Sequence, residues 1–430
     1  MVSRVLSADL PKHIGERVTI AGWLHRRREL KSVTFLIIRD RSGLAQVVLP
    51  AGTDPGLPEE TVVQAEGLVT ANEQAPGGAE LTESAITALS GPAAPPPFDL
   101  YRPTVTATLP TILDYAPTTL RHPQLRAGFE ISAASVAGFR AALDGLDFTE
   151  VFTPKIVESA TESGANVFAL DYFGRAAYLA QSPQFYKQAM VGVFERVYEV
   201  GPVFRAEPHD TARHLAEYTS LDAELGFITD HYDVMAVCRD AVAGIIASVG
   251  ERGRFQLNRL GASLPTVPAQ IPHIHFADAM ALISRATRED VTAEPDLSPA
   301  HERWLCEWAV REHGSELLFV TGYPLPSKPF YTYPDPKRPE YSYGFDLLFR
   351  GTEIVTGGQR LHRHEDYLAA LAARDERLEP YAGYLQVFEH GMPPHGGFAL
   401  GLERWTARLT GAANVRQVTL FPRDLHRLSP

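Results

Sequence analysis

Residues 90–103 read SGPAAPPPFDLYRP, and this run constrains the fold more than any other stretch of the chain. Proline fixes φ and has no amide hydrogen, so neither a helix interior nor a central strand can pass through it. A semi-rigid linker is expected here, with a domain boundary at it. The 430 residues leave room for two or three domains. Before the linker, residues 18–90 hold five β-type runs: VTIAGWL, TFLIIRD, LAQVVLP, TVVQAEGLVT and ELTESAITAL. Val, Ile and Thr recur at alternate positions, and Gly, Asp and Pro turns separate the runs.

After the linker the period changes. QLRAGFEISAASVAGFRAALDGL (124–146) sets Leu125, Phe129, Ile131, Val136, Phe139 and Leu143 at helical spacing. DFTEVFTPKIV (147–157) reads as a strand with Pro154 inside it, which an edge tolerates. DHYDVMAVCRDAVAGIIASVG (230–250) reads as a helix between strand groups. The sequence contains no Walker loop, no strand-coupled GxGxxG and no repeat at periods of about 20–50 residues. The expected class is α+β. A five-stranded barrel, for which the oligonucleotide-binding (OB) fold is the commonest candidate, precedes a largely antiparallel sheet flanked by helices. The expected division is 1–100 for the barrel, 101–123 for a hinge and 124–430 for the second domain.

A hydrophobic fraction of 45% against 21% charged residues excludes wholesale disorder. Cys238 and Cys306 form no metal spacing and no disulfide framework, which fits a reducing cytosol. No apolar leader and no membrane span is legible, so a cytoplasmic protein without membrane association is expected. The net charge of −12 does not advertise nucleic-acid binding, but its distribution is uneven. WLHRRRELKSVTFLIIRDR (23–41) packs six Lys or Arg against two acids. Such a patch is either a solvated face or a nucleic-acid footprint.

GPVFRAEPHDTARHLAEYTSLDAELGF (201–227) gathers Arg205, Glu207, His209, Arg213 and His214 between two strand-like runs. Arginine's planar fork suits phosphate, and a hairpin with a cationic tip could cradle a triphosphate. A surface Arg205–Glu207 ion pair is the plainer alternative. YGFDLLFRGTEIVTGGQRLHRHEDY (343–367) supplies Asp346, Glu353, Thr356 and Arg360, a set suited to Mg²⁺ and an anionic substrate. GMPPHGGFALGLERWTARL (391–409) has a glycine-rich turn and an apolar strand, then Gly401, Glu403 and Arg404 at the start of a helix, where anions are favoured. Together these stretches read as a nucleotide site with three arginines and no P-loop.

The chain resembles the class II aminoacyl-tRNA synthetases, specifically the aspartyl enzymes of the compact archaeal type, over nearly its whole length. Their three signature motifs appear in order: the helix and strand of 126–155 ending in Pro154, FRAE…RH, and GLER at 401–404. TESG (161–164), SPQFYKQ (182–188), GGQR (357–360) and GMPPHGGF (391–398) narrow the resemblance to this subgroup.

The resemblance implies an anticodon-binding OB barrel, a hinge, a class II catalytic domain and a homodimer. It implies ATP-dependent attachment of L-aspartate to tRNA through an aspartyl-adenylate. Arg205, Glu353 and Arg404 would be catalytic. ATP would be met by Arg205, Glu207, Arg213, His214, Leu215, Glu353, Gly401, Leu402, Glu403 and Arg404. Aspartate would be met by Glu162, Gln184, Lys187, Arg205, Thr356 and Arg360, with Lys187 and Arg360 facing its side-chain carboxylate. Two cations in a water-poor pocket would favour a carboxylate over an amide. Mg²⁺ would be held by Glu353 and Thr356, the latter standing where the family usually has Ser. Arg28, Phe35 and Gln46 would meet the anticodon, by phosphate contact, stacking and base reading.

Strict members of the subgroup tend to carry Trp where this chain has His25, and a basic residue where it has Pro76. The resemblance therefore implies tRNA(Asn) as a partner in addition to tRNA(Asp). A discriminating aspartyl enzyme, an asparaginyl enzyme and a non-catalytic tRNA-binding paralogue remain the alternatives. Lys187 argues against the second, and the retained motif residues against the third.

Overall fold

The structure, a computed structural model, describes residues 4–158 and 166–429. The chain divides into two compact units, Met1–Pro123 and Gln124–Pro430. In the first, β1 (Arg17–Glu29), β2 (Val33–Arg39), β3 (Leu44–Pro50), β4 (Val62–Ala71) and β5 (Ala79–Ala88) close a barrel in the order β1-β2-β3-β5-β4. The alternation in the sequence is the cause. On β3, Ala45, Val47 and Leu49 are buried while the intervening residues face outward. Full burial of a side chain such as Leu contributes about 1.5–3 kcal/mol. Helices α1 (Leu109–Asp114) and α2 (Ala116–Thr119) end this unit.

β1 departs from simple alternation at His25. Leu24 pairs with Ile38 but Arg26 pairs with Ile37, so His25 is the extra residue of a β-bulge. Its side chain turns inward, where Arg39 Nη1 lies 2.9 Å from Nδ1. Arg39 has only donors, so Nδ1 is the acceptor in this contact. Arg39 also grips Glu60 with two parallel bonds of 2.8 Å, and Arg121 adds a third at 3.0 Å. Glu60 is 4% exposed and sits at a φ of 68°, a conformation costly for a non-glycine residue.

Burial alone would raise the Glu60 carboxyl, but His25, Arg39 and Arg121 outweigh it and hold the group at about 2, against 4.5 in an unstructured chain. The barrel's ionic stabilisation is therefore fully present above about pH 4.5 and is lost as the pH falls toward 2. Glu60→Gln leaves a buried Arg39 without its carboxylate and is expected to cost about 3–5 kcal/mol. Urea unfolding followed at Trp23, the tryptophan of the barrel, checks this. A loss under about 1 kcal/mol would mean that the pair is solvated as a surface pair is.

The second unit is built on one sheet in the order β12-β13-β14-β15-β16-β11-β10-β6. These strands are β6 (Thr149–Glu150), β10 (Arg196–Phe204), β11 (Glu217–Gly226), β12 (His273–His275), β13 (Leu317–Thr321), β14 (Gly344–Phe349), β15 (Thr352–Gln359) and β16 (His395–Gly401). Within this sheet, among the described residues, only the edge pairings β12–β13 and β10–β6 are parallel. A small second sheet holds β7 (Ile156–Val157), β8 (Ala169–Tyr172) and β9 (Arg175–Leu179).

Helices α3 (Pro123–Asp144) and α5 (His231–Arg252) pack their apolar residues with the sheet into one core. They approach closely at Gly138, where an added Cβ would lie 2.5 Å from the Gly244 carbonyl oxygen. The remaining helices are α4 (Gln184–Phe194), α6 (Arg254–Leu260), α7 (Phe276–Thr287), α8 (Pro299–His313), α9 (His364–Ala372), α10 (Ala382–Glu389) and α11 (Leu402–Thr410).

The expected helices at 124–146 and 230–250 are present within two residues. The expected strand at 147–157 is not continuous. Pro154 interrupts it, leaving β6 on the edge of the large sheet and β7 in the small one.

Candidate active site

The loop 205–216 joins β10 to β11, which run antiparallel with Phe204 opposite Glu217. β10 ends at Phe204, so Arg205 and Glu207 lie on the loop rather than on one face of a strand. The loop is tied to a distant segment. Val415 N–H donates to the Ala212 carbonyl, Arg416 Nη1 to the Thr211 carbonyl, Arg416 Nη2 to Asp210, and Ala216 N–H to the Arg423 carbonyl. On the neighbouring strands, Asp346 of β14 stands opposite Thr356 of β15. β16 delivers Gly401, and α11 opens immediately after it.

These elements enclose a cavity of about 440 Å³. Arg205, Glu207, His209, Arg213, His214 and Leu215 of the loop line it. So do Asp346, Glu353 and Thr356, together with Gly401, Glu403 and Arg404. The three stretches singled out in the sequence thus share one space, which favours a common site over a surface ion pair at Arg205. Lys328 and Asp296 also line it and carried no sequence signal.

The electrostatics refine the expected roles. Arg404 donates to the Glu353 carbonyl at 3.0 Å and lies 3.6 Å from its carboxylate. Lys328 Nζ is 3.3 Å from Asp346. Burial and the nearby Asp346 charge both raise the Glu353 carboxyl. His214 is not part of a cationic tip: burial, with Arg404 and Arg213 beside it, lowers its imidazole to about 4. It is neutral near pH 7, with Nδ1 2.6 Å from the Thr211 hydroxyl.

Glu403 and Leu402 also have structural contacts. Both carboxylate oxygens of Glu403 accept the Thr219 N–H at 3.1 Å, so this side chain closes the β11 backbone. Leu402 is a core residue, which leaves only its backbone for a ligand.

A Glu353 carboxyl raised by burial and by the Asp346 charge beside it suits a divalent cation. Mg²⁺ commonly takes one or two carboxylates and completes its shell with phosphate oxygens and water. Asp346 and Glu353 fit that donor set, with the Thr356 hydroxyl nearby. No cluster of three or more His, Cys, Asp or Glu side chains stands ready to hold a metal among the described residues.

Gln184, Lys187 and Arg360 do not line the open cavity; they lie in a buried group beyond Ser220, which donates to Asp222. Lys187 Nζ is 3.1 Å from Asp222 and 3.2 Å from Glu224, and Arg360 Nε donates to Glu224 at 3.0 Å. Arg360 also donates to the Gly397 carbonyl at 3.0 Å and to Gln184 Oε1 at 3.4 Å, and it lies 5.5 Å from the Tyr331 ring. Gly397 must be glycine, because a Cβ there would collide with the Glu224 carboxylate.

The two expected cations thus have carboxylate partners of their own in the chain. Two cations face two carboxylates, and sequence reasoning missed Asp222 and Glu224 because nothing in SLDAELGF marks which face of β11 they take. Burial works against Glu224 ionisation, but Arg360 and Lys187 prevail and its carboxyl is lowered.

On the barrel, Arg28 pairs with Phe35 across β1 and β2, its guanidinium 5.9 Å from the ring centroid. Phe35 faces outward and is half-buried, as is Gln46, which pairs with Ile37 and donates to Glu80 at 2.7 Å. The rest of the basic patch is partly engaged: Arg27 pairs with Asp54, Arg39 with Glu60, and Arg26 lies over Tyr101. Pro76 begins a 3-10 turn between β4 and β5. Glu162 lies outside the described residues.

The family model described as tRNA synthetases class II (D, K and N) matches residues 109–425, and that described as OB-fold nucleic acid binding domain matches residues 18–89. The chain is 47% identical over 427 residues to the "Aspartate--tRNA(Asp/Asn) ligase" of Thermus thermophilus, covering 99% of this chain and 100% of that protein. A protein of the same name from Deinococcus radiodurans is 45% identical, covering 100% and 99%. Among solved structures, an asparaginyl-tRNA synthetase from Pyrococcus horikoshii complexed with asparaginyl-adenylate superposes with a TM-score of 0.93 at 31% identity, covering 100% of both chains. An aspartyl-tRNA synthetase from Entamoeba histolytica gives 0.88 at 27%, covering 100% of this chain and 93% of that one. No helix among the described residues is long and apolar enough to cross a membrane.

Proposed function

We infer the activity of this chain from its family: it belongs to the class II tRNA synthetases (D, K and N), and it is an aspartate–tRNA ligase that charges tRNA(Asp) and tRNA(Asn). The carboxylate of L-aspartate attacks the α-phosphate of ATP, giving aspartyl-adenylate and pyrophosphate. The 3′ end of tRNA then attacks the activated carbonyl and AMP leaves. The reaction needs no covalent enzyme nucleophile, so catalysis rests on positioning and charge stabilisation. The observation that carries the reading is the convergence of Arg205, Arg213 and Arg404 with Asp346 and Glu353 on one cavity, backed by the buried Lys187–Arg360 group.

In this reading Arg205 holds the α-phosphate and the reacting carboxylate, and Glu207 orients the adenine. Arg213 meets the β- and γ-phosphates and Arg404 the γ-phosphate. His214 serves as a neutral hydrogen-bonding group. Leu215 and the backbone of Gly401, Leu402 and Glu403 complete the ATP wall. Glu353 and Thr356, with Asp346, would hold Mg²⁺, which would neutralise phosphate charge. Lys187 and Arg360 select the aspartate side chain, with Gln184 and Glu162 at its amino group.

Residues 1–100 read the anticodon through Arg28, Phe35 and Gln46, residues 101–123 form the hinge, and 124–430 catalyse. His25 and Pro76 relax the choice between the two tRNAs. A homodimer is what the family resemblance implies for this chain. The cytoplasm is the compartment that supplies the substrates.

The deciding experiment charges tRNA(Asp) and tRNA(Asn) transcripts side by side with aspartate and with asparagine. Comparable aspartylation of both is expected, with no transfer of asparagine. Charging of tRNA(Asp) alone would remove His25 and Pro76 from the account, and asparagine transfer would overturn the substrate assignment.

A further inference from the structure

Glu302 lies behind the cavity rather than in its lining and is 3% exposed. It occupies the first turn of α8, after an N-cap formed by Ser298 with His301, where a negative charge is favoured. Leu305, Cys306 and Ala309 pack α8 against Leu318 and Val320 of β13 and Leu348 of β14, so the carboxylate stands on a fixed platform. Both its oxygens accept Arg213 Nη1, at 2.9 and 3.0 Å. Oε2 also accepts the Glu353 N–H at 3.0 Å.

That N–H turns to Glu302 at a bulge in the β14–β15 ladder. Leu347 pairs with Val355 but Leu348 with Glu353, leaving Ile354 as the extra residue. The Glu353 carbonyl in turn accepts Arg404. One buried carboxylate therefore joins the loop 205–216, the bulge of β15 and, through Glu353, the start of α11. Burial disfavours the charge of the neighbouring Arg408, and the Glu302 charge opposes that effect.

We propose that Glu302 is a positioning residue for the triphosphate of ATP: it orders Arg213 by one terminal nitrogen and sets the Glu353 backbone before the nucleotide arrives. A long arginine loses much rotamer freedom when it is held, and here the loss is met in folding rather than in binding. The remaining guanidinium donors of Arg213, on a side chain 27% exposed at the cavity, are left to meet phosphate oxygens. The proposal rests on the ATP reading given above, and it predicts that Glu302 matters for the β- and γ-phosphates but not for adenosine.

The test is calorimetric titration of the full chain with ATP and with AMP, for the wild type, Glu302→Gln, Glu302→Asp, Arg213→Ala and the double variant, alongside exchange kinetics. Glu302→Gln should weaken ATP binding about tenfold or more and leave AMP binding within about twofold. The KM for ATP should rise while that for aspartate holds. Glu302→Asp should recover part of the loss, and Glu302→Gln should add little once Arg213 is alanine.

Equal weakening of ATP and AMP, together with a lowered Tm, would reduce Glu302 to a structural pair and overturn the proposal. Tighter ATP binding would also overturn it, since Glu302 would then withhold Arg213. A wild-type chain that binds neither nucleotide would instead overturn the ATP reading, and the inference with it.

Discussion

Arg360→Leu is expected to abolish aspartate-dependent pyrophosphate exchange, with a loss of at least about 10³-fold, and to lower the stability of the catalytic unit by about 3–5 kcal/mol. The two effects share one cause. Arg360 donates to Glu224, whose side chain is fully buried, and leucine would leave that carboxylate with Lys187 as its cation. The substrate's side chain would lose its planar partner in the same step. Exchange assays with thermal melting separate the effects, and ATP affinity should change little, because Arg360 does not line the nucleotide cavity. Exchange within tenfold of wild type would remove Arg360 from substrate selection.

Arg205→Ala should act differently: kcat for exchange falls by about 10²–10³ with folding stability nearly unchanged. Arg205 stands at the cavity, half-buried, where the α-phosphate is expected to gain charge in the transition state. Arg205→Lys should recover only part of the loss, since an ammonium cannot form the paired bonds of a guanidinium. The check is kcat against KM for ATP. A raised KM with unchanged kcat would assign Arg205 to ground-state binding alone.

The barrel was legible because most of its strand residues alternate with period two and turn residues punctuate the strands. The site was legible in outline because arginines and carboxylates marked three stretches that the sheet order later brings together. What the sequence hid were relations between strands. His25 breaks the alternation of β1 through a bulge that depends on pairing with β2. Asp222 and Glu224 neutralise Lys187 and Arg360 from β11, and no local pattern reveals that register. Glu302 reaches the site from a helix about fifty residues upstream of the strand it serves. Pro154 was visible, yet its break between two sheets was not.

The fastening of the loop 205–216 by residues 414–424 bears on synthesis. Thr211 and Arg416 are 205 residues apart, so at about 5–20 residues per second a ribosome needs about 10–40 s to travel from the loop to its anchor. Throughout that interval the loop bearing Arg205 and Arg213 lacks its ties to residues 414–424. A ribosome stalled before Val415 would carry the loop without these ties.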